Sequence, residues 1–397
     1  MIKKVMFCAI ALSMGSIAMA QSTSEVTQEG DDNTTDVTQT GGDHASIVSI
    51  VGDRNDVDVS QYDGFENSAY VNVTGDDNIA SVEQLGYDDL TEIYQSGNYN
   101  TAYAFQGESN EFGEIYIDQS GDENEASSSQ NGSYAFSEID QSGDYNYADV
   151  NQEGEYNESY VSQSGDYNDA TVYQAGDYNY SEIDQSGYEN YTDVNQEGDY
   201  NESYVSQSGD YNEATVYQSG DYSYSEIDQS GNYNYADVSQ EGEYAESYVT
   251  QSGDDNSATV YQAGEEVVSY VTQSGDENEA EVYQDGYDAY STIDQSGDYN
   301  YADVYQEGGE YAESNVIQSG DYNSATVFQD GSSTSNVYQL GNEGVVDVSQ
   351  YGDDHLSNVT QSDGNANIAT VSQSGYGLTS DIMQIGSNNV ANVIQSN

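Results

Sequence analysis

Residues 163–174 read Gln-Ser-Gly-Asp-Tyr-Asn-Asp-Ala-Thr-Val-Tyr-Gln, and this stretch contains one complete repeating unit of the chain. Along 170–174, Ala, Val and Gln alternate with Thr and Tyr, and a period of two is typical of a strand with two different faces. Residues 165–168 (Gly-Asp-Tyr-Asn) predict a turn, because Gly allows a positive φ and Asp and Asn bond to nearby backbone. Each 11-residue unit is therefore predicted to be one strand and one tight turn.

Glutamine recurs at one fixed position of this unit. Over residues 119–306 it returns every 11 residues in eighteen consecutive units. Extending the grid over 28–395 gives 34 positions, and only Ile50 and Val73 replace glutamine in them. A side chain held at one phase over such a length indicates a stack of near-identical units.

Two units make one coil of 22 residues. The sequence therefore predicts an all-β fold, a β-solenoid of about 17 stacked two-strand coils. A helical reading fails because no apolar stripe of period 3.6 exists and a Gly in every unit would interrupt a helix. We expect a regular array at 119–306, less regular repeats at 21–118 and 307–397, and an end of low charge at 361–397.

Buried amides are predicted to form ladders along the stack. An isolated buried amide costs about 1–3 kcal/mol, whereas identical amides on successive coils can bond to one another, as in cross-β assemblies. The glutamine face and the turn asparagine should both point inward. The members predicted for this amide ladder are Gln141, Asn146, Gln152, Gln163, Asn168, Gln174, Gln185, Asn190, Gln196, Gln207, Asn212 and Gln218.

Residues 1–20 are predicted to be a secretory signal peptide. Lys3 and Lys4 precede an apolar stretch at 5–17 and a small-residue cleavage site at 18–20, a pattern too short and wrongly flanked for a membrane span. The only cysteine of the chain lies inside this segment. We therefore expect an exported chain that is held together without disulfides.

The chain is strongly acidic, with 74 Asp and Glu against three Lys and Arg and a formal net charge of −71. Removal of the predicted signal peptide with Lys3 and Lys4 would make the formal net charge −73. This charge argues against nucleic acid and anionic membranes as partners and favours diffuse binding of Ca²⁺ or other cations, without a cofactor or a defined metal site. Acidic chains of this kind are often disordered, but disorder does not need a strict glutamine phase. The turn carboxylates expected to bind cations are Asp144, Asp166, Asp177 and Asp210.

Catalytic constellations are not evident. His44 and His355 are the only histidines and are far apart in the chain, so a Ser-His-acid or His-metal site is not expected. The many carboxylates repeat without a unique pair of the glycosidase kind. We therefore expect that the protein is not an enzyme.

Residues 141–152 (Gln-Ser-Gly-Asp-Tyr-Asn-Tyr-Ala-Asp-Val-Asn-Gln) resemble the curlin repeat: Gln, Gly two residues on, Asn five on, Ala seven on and the next Gln eleven on. The resemblance covers about 22–395. Curlins are the secreted subunits of curli, bacterial cell-surface amyloid fibres used in adhesion and biofilm matrix. The resemblance implies a secreted subunit of a homopolymeric fibre at the cell surface, with an outer-membrane secretion and nucleation system as partner.

The chain departs from the familiar curlin in having more coils and far more acid, with ten carboxylates in 141–184. This charge keeps an alternative open, a soluble monomeric acidic solenoid or salt-ordered gel that binds Ca²⁺ or surfaces without forming fibres. The low-charge end is the expected edge for docking another subunit, or else an ordinary hydrophobic cap. The residues expected at this docking end are Ile382, Ile385, Val390, Val393 and Ile394.

Overall fold

The structure, a computed structural model, describes residues 22–397, so the predicted signal peptide lies outside the described residues. Within that range the chain is all-β, with 34 strands and no helix. None of the described residues thus forms an apolar helix that could cross a membrane. The strands come two per turn, about 22 residues apart, which gives about 17 turns, and the predicted β-solenoid is confirmed.

The chain divides into two compact units, the first ending at Gln185 and the second beginning at Ser186. In unit 1 the odd-numbered strands form one parallel sheet and the even-numbered strands form the other. The odd strands are β1 (Thr23–Glu29), β3 (Ala45–Val51), β5 (Ser68–Thr74), β7 (Leu90–Ser96), β9 (Glu114–Ser120), β11 (Phe136–Ser142) and β13 (Glu158–Asp166). The even strands are β2 (Thr34–Gly42), β4 (Asp56–Phe65), β6 (Ile79–Gln84), β8 (Thr101–Gln106), β10 (Glu125–Asn131), β12 (Tyr147–Glu153) and β14 (Asp169–Ala175). Strand β15 (Tyr180–Tyr188) contains the boundary between the units.

Unit 2 repeats the same arrangement. Its even strands are β16 (Tyr191–Gln196), β18 (Glu213–Gln218), β20 (Tyr235–Gln240), β22 (Ser257–Gln262), β24 (Glu279–Tyr287), β26 (Tyr301–Glu310), β28 (Ser324–Asp330), β30 (Val345–Asp353), β32 (Ile368–Tyr376) and β34 (Val390–Ser396). Its odd strands are β17 (Glu202–Asp210), β19 (Tyr224–Ser230), β21 (Glu246–Ser252), β23 (Val268–Ser274), β25 (Tyr290–Ser296), β27 (Glu313–Ser319), β29 (Thr334–Gln339), β31 (Leu356–Ser362) and β33 (Thr379–Ile385).

Neighbouring strands pair in register, so each residue lies beside its counterpart in the next coil. Val172 pairs with Val150, for example, and Gln174 pairs with Gln152. Val172 and Gln174 are buried, whereas Tyr173 between them is half-exposed, because successive side chains of a strand point to opposite faces. A thin core of Ala, Ser, Val, Ile and Gln therefore lies between the two sheets of each unit.

The turns depend on two residues with a positive φ. Gly143 has a φ of 108° and Tyr145 has a φ of 62°. A Cβ on Gly143 would lie 2.1 Å from the carbonyl oxygen of Gly165 in the next coil, so only glycine lets the two turns stack this closely. The left-handed Tyr145 was not predicted from the sequence, since bulky residues rarely adopt this conformation.

Candidate functional site

The inward glutamines of the odd sheet bond to one another from coil to coil in unit 1. Gln119 Nε2 donates to Gln141 Oε1, Gln141 donates to Gln163, and Gln163 donates to Gln185, each at 2.9 Å. The second hydrogen of each amide goes across the core; Gln141 Nε2, for example, donates to the carbonyl oxygen of Glu125 in the other sheet at 3.0 Å. Both hydrogens of the amide therefore have acceptors, and every donor points toward the C-terminal end of the ladder.

The even sheet and unit 2 carry the same ladder. In unit 1, Gln152 Nε2 donates to Gln174 Oε1 at 2.9 Å. In unit 2, Gln196 donates to Gln218 at 2.8 Å, and Gln207 of the odd-numbered strands donates to Gln229 at 2.8 Å. All of these glutamines are buried. Within each unit, the structure thus arranges the predicted glutamines in two columns of amides.

The turn asparagines form a third column. Asn146 Nδ2 donates to Asn124 Oδ1 at 3.1 Å and to the Gly165 carbonyl at 2.8 Å. Its own Oδ1 accepts the backbone N–H and the Nδ2 of Asn168, at 3.0 and 3.1 Å. In unit 2, Asn212 bonds to Asn190 Oδ1 in the same way. The amide-to-amide bonds of this asparagine column run toward the N-terminus, opposite to those of the glutamines, whereas the bond from Asn146 to the Gly165 carbonyl runs toward the C-terminus.

The other turn of each coil has a different inward residue, which the sequence analysis did not separate from the first. All four predicted asparagines belong to one turn, whereas the second turn varies from coil to coil. In unit 2 it carries a buried apolar cluster of Ala245, Val267, Ala289 and Ala312. The sequence contains this distinction, because assigning successive turns of the 11-residue grid alternately to two groups separates the two columns.

Both histidines and one buried acid lie in this second turn column, together with small and amide side chains. His44 and His355 are buried, and burial lowers the pKa of His44. Inward residues of the column include Ser22, His44, Asn67, Asp89, Ala135, Asn157, Ser223, Ser333, His355 and Leu378.

Asp89 takes the position that an asparagine holds in the preceding coil. There, Asn67 Nδ2 donates to the Gly86 carbonyl at 2.9 Å, and Asn67 Oδ1 accepts the backbone N–H of Asp89 at 3.1 Å. Asp89 Oδ1 accepts the backbone N–H of Gly113 at 3.1 Å in the corresponding way. Its other oxygen, Oδ2, is buried and has no hydrogen-bond partner among the described residues. The missing bond is the one that an Asn Nδ2 would make.

Asp89 Oδ2 faces a carbonyl oxygen. A Cβ on Gly86 would lie 2.5 Å from Asp89 Oδ2 and 2.2 Å from the carbonyl oxygen of Asn110, so the two oxygens border the same small space. Burial raises the pKa of Asp89 to about 8, and the nearby charges of Asp88 and Glu111 add to this rise. A protonated carboxyl can donate to the carbonyl as an amide does, whereas a carboxylate can only accept.

The glutamine ladder of the odd sheet is interrupted once, at Ile50 and Val73. Val73 pairs with Gln95 in the next coil and cannot donate to it. Gln95 Oε1 is consequently a buried oxygen without a hydrogen-bond partner in the part of the chain that the structure describes. This oxygen is the N-terminal end of the long ladder.

The turn aspartates bridge coils. Asp122 N donates to Asp144 Oδ1 at 2.9 Å, and Asp144 N donates to Asp166 Oδ1 at 2.9 Å. Asp177 and Asp210 accept equivalent backbone bonds at 2.8 and 3.1 Å. One oxygen of each carboxylate predicted to bind cations thus already holds the preceding turn. Across residues 22–397, no three or more His, Cys, Asp or Glu side chains are grouped so that they could hold a metal ion.

The C-terminal coil leaves apolar side chains exposed. Ile385, Val390 and Ile394 are 63, 74 and 74% exposed, whereas Ile382 is buried and Val393 is half-buried. The structure thus divides the five predicted docking residues between an outer face and an inner face.

The model of the curlin-associated repeat matches residues 30–62, 63–86, 137–165, 143–176, 187–220, 221–253 and 253–286. The matches fall in both units and on the strand-turn repeats described above. No curated protein matches the chain.

Proposed function

The chain belongs to the curlin family, and from this premise we propose that it is the structural subunit of a curli-like fibre at the cell surface. Curlin repeats build structural proteins rather than enzymes. The proposed fibre is a homopolymer that grows by cross-β stacking of copies and serves adhesion and biofilm matrix. Secretion through an outer-membrane system that also nucleates growth is part of this proposal.

The open end of the amide ladder carries the proposal. Gln373 Nε2 donates to Gln395 Oε1 at 2.9 Å, and Gln395 Nε2 donates to the Thr379 carbonyl at 2.9 Å. Its second hydrogen points along the ladder, where no further glutamine follows among the described residues. At the other terminus, Gln39 Nε2 donates to Gln61 Oε1 at 2.8 Å, which leaves Gln39 Oε1 to accept. A second copy that adds its N-terminal coil to this C-terminal coil would continue the ladder in the same direction.

The acidic surface supports a requirement for cations. Two coils of unit 1, residues 141–184, hold ten carboxylates over about 9.6 Å at the usual strand spacing. That is about one charge per ångström, denser than the roughly 1.7 Å per charge of duplex DNA, which condenses counterions. We infer that growth needs salt, divalent cations or low pH. The same charge favours the second candidate, a soluble acidic solenoid or salt-ordered gel that binds Ca²⁺ or surfaces.

Electron microscopy and cross-β diffraction of residues 21–397, in dilute EDTA and in high salt with Ca²⁺, distinguish the two candidates. Fibres that form only with cations support the fibre subunit. A folded monomer or a gel without fibres under all these conditions supports the second candidate. Equal fibre growth in both buffers removes the cation requirement.

The ladder end itself is tested by replacing Gln384 and Gln395 with glutamate. Each Glu still accepts the bond from the preceding coil but donates neither to the next copy nor to the carbonyl across the core. Growth should slow and the lag should lengthen. The matched control combines Asn388→Asp with Asn392→Asp, because these two exposed residues add the same two charges outside the ladder. Equal growth of the glutamate variant and the control would refute docking through the amides.

A further inference from the structure

Pairs of tyrosines stack face to face at the turns of successive coils. The rings of Tyr145 and Tyr167 in unit 1 are 4.7 Å apart with planes 5° from parallel. The rings of Tyr299 and Tyr322 in unit 2 are 4.7 Å apart and 1° from parallel. These rings are 42, 45, 43 and 58% exposed, respectively. Soluble reagents can therefore reach phenols that the backbone holds against each other.

A carboxylate occupies the same turn position one coil before each pair. The hydroxyl of Tyr145 donates to Glu123 Oε1 at 2.8 Å, and the hydroxyl of Tyr299 donates to Glu277 Oε1 at 2.7 Å. The hydrogen bond to Glu277 raises the pKa of Tyr299 to about 12. Each phenol thus remains protonated at neutral pH with a proton acceptor in place, at the distance that proton transfer needs.

We propose that the Tyr145–Tyr167 pair is a site of oxidative cross-linking, at which a one-electron oxidant joins the two rings through a carbon–carbon bond. The Tyr299–Tyr322 pair is a second site of the same kind. The oxidant belongs to the class of peroxidases acting with hydrogen peroxide, or of photogenerated metal complexes.

The reaction balances with two equivalents of that oxidant. Each phenol gives up one electron to the oxidant and one proton. The proton of Tyr145 passes to Glu123, and that of the exposed Tyr167 passes to water. The two tyrosyl radicals combine at ring carbons next to the oxygens. The hydrogen on each coupled carbon then moves to its oxygen and restores two phenols. The product has lost two hydrogen atoms, and it links two coils covalently in a chain whose only cysteine is Cys8.

The experiment is photo-oxidation of residues 21–397 with a ruthenium trisbipyridyl complex and persulfate at low protein concentration. Digestion uses a protease that cleaves at Asp or Glu, because Arg54 is the only Lys or Arg after residue 4. Linked peptides are identified by mass spectrometry and dityrosine fluorescence. The two proposed pairs should link before Tyr311, which is 65% exposed but stacks on no other ring within residues 22–397. Links distributed by exposure alone would overturn the proposal.

Two kinds of variant test the geometry. Tyr322→Phe retains a stacked ring that cannot couple, so the link from Tyr299 should be lost. Glu277→Gln removes the proton acceptor, so this link should form severalfold more slowly while the Tyr145–Tyr167 link is unchanged. In denaturant the preference for the stacked pairs should disappear. An unchanged rate in Glu277→Gln, or the same preference in denaturant, contradicts the proposal, and neither result depends on fibre formation.

Discussion

Replacing Asp89 with asparagine should stabilise the coils around it at neutral pH. Asn67 shows the geometry that asparagine adopts at this position, with Nδ2 donating to a glycine carbonyl at 2.9 Å. An amide at position 89 can donate in the same way to the Asn110 carbonyl, which Asp89 Oδ2 now faces without a bond. The bond from Gly113 N to Oδ1 would be retained.

The magnitude follows from the pKa of Asp89, which burial raises from 3.8 to about 8. Because the pKa of the folded state is above that of the unfolded state, the contribution of this group to stability is fully present below pH about 4. It is lost as pH rises and levels off above pH about 8. The slope is about 1.4 kcal/mol per pH unit, so the loss between pH 4 and pH 7 is about 4 kcal/mol. This pH dependence of stability has the opposite sign to that of a salt-bridged aspartate, whose contribution is lost as the pH falls.

Amide hydrogen exchange in β5, β7 and β9 measures this effect, with rates normalised to the intrinsic rate at each pH. Protection in the unmodified chain should fall about tenfold per pH unit between pH 5 and pH 8. Protection in Asp89→Asn should be higher at pH 7 and should depend less steeply on pH; a smaller slope remains because burial also raises the pKa of Asp118 in β9. Asp144→Asn is the control, since it removes a turn carboxylate whose Oδ1 bond the amide can replace. If Asp89→Asn has the pH slope of the unmodified chain, the reasoning is wrong.

Two further predictions concern the ladder and the turns. Gln141→Leu should lower the free energy of unfolding by about 1–3 kcal/mol more than Gln95→Leu does. The Gln141 variant leaves amide atoms without a partner in both adjacent coils, whereas Gln95 Oε1 already lacks a donor. Amide hydrogen exchange in the neighbouring β-strands measures the difference. Gly143→Ala should unfold its coil, since the new Cβ would lie 2.1 Å from the backbone oxygen of Gly165. Gly377→Ala has no atom within 4 Å of the new Cβ and a φ of 66°, so it should cost only about 1–2 kcal/mol. Equal thermal stability of the two alanine variants would contradict the steric argument.

The fold was predictable because the environment of each residue recurs. The alternation over 170–174 predicts the strand, and Gly165 and Asn168 predict the turn. The glutamine phase then fixes the register, since a shift by one residue would turn every buried amide to the solvent. In the structure these features are β14 (Asp169–Ala175) and its paired register with β12. A pattern of period two and one repeat length were sufficient for this.

The chemistry of single positions was less predictable. Asp89 is one of 74 acidic residues, and composition does not distinguish it from the exposed ones; only its place in the inward turn column does. The turn residue Asp166 was predicted to bind cations, but the direction of its carboxylate depends on the turn backbone, which aims Oδ1 at the N–H of Asp144. Tyr145 adopts a positive φ against its intrinsic preference, and Glu123 at the same position of the preceding coil does so too, so the turn backbone and not the side chain sets this conformation.

The direction of the ladder explains how two apolar replacements can be tolerated in it. Any interruption of a one-way column of amides leaves one donor before the gap and one acceptor after it without a partner. Ile50 and Val73 lie on consecutive coils of the same sheet and pair with each other. The two replacements together therefore leave no more amide atoms without a partner than a single replacement would. The donor before the gap, Gln28 Nε2, bonds to Thr35 Oγ1 at 2.6 Å. The acceptor after the gap, Gln95 Oε1, is the one buried glutamine oxygen within residues 22–397 that has no hydrogen-bond partner. Two replacements separated by a glutamine would leave twice as many amide atoms without a partner, at about 1–3 kcal/mol each. The cost of an apolar residue in the ladder therefore depends on its neighbours along the column.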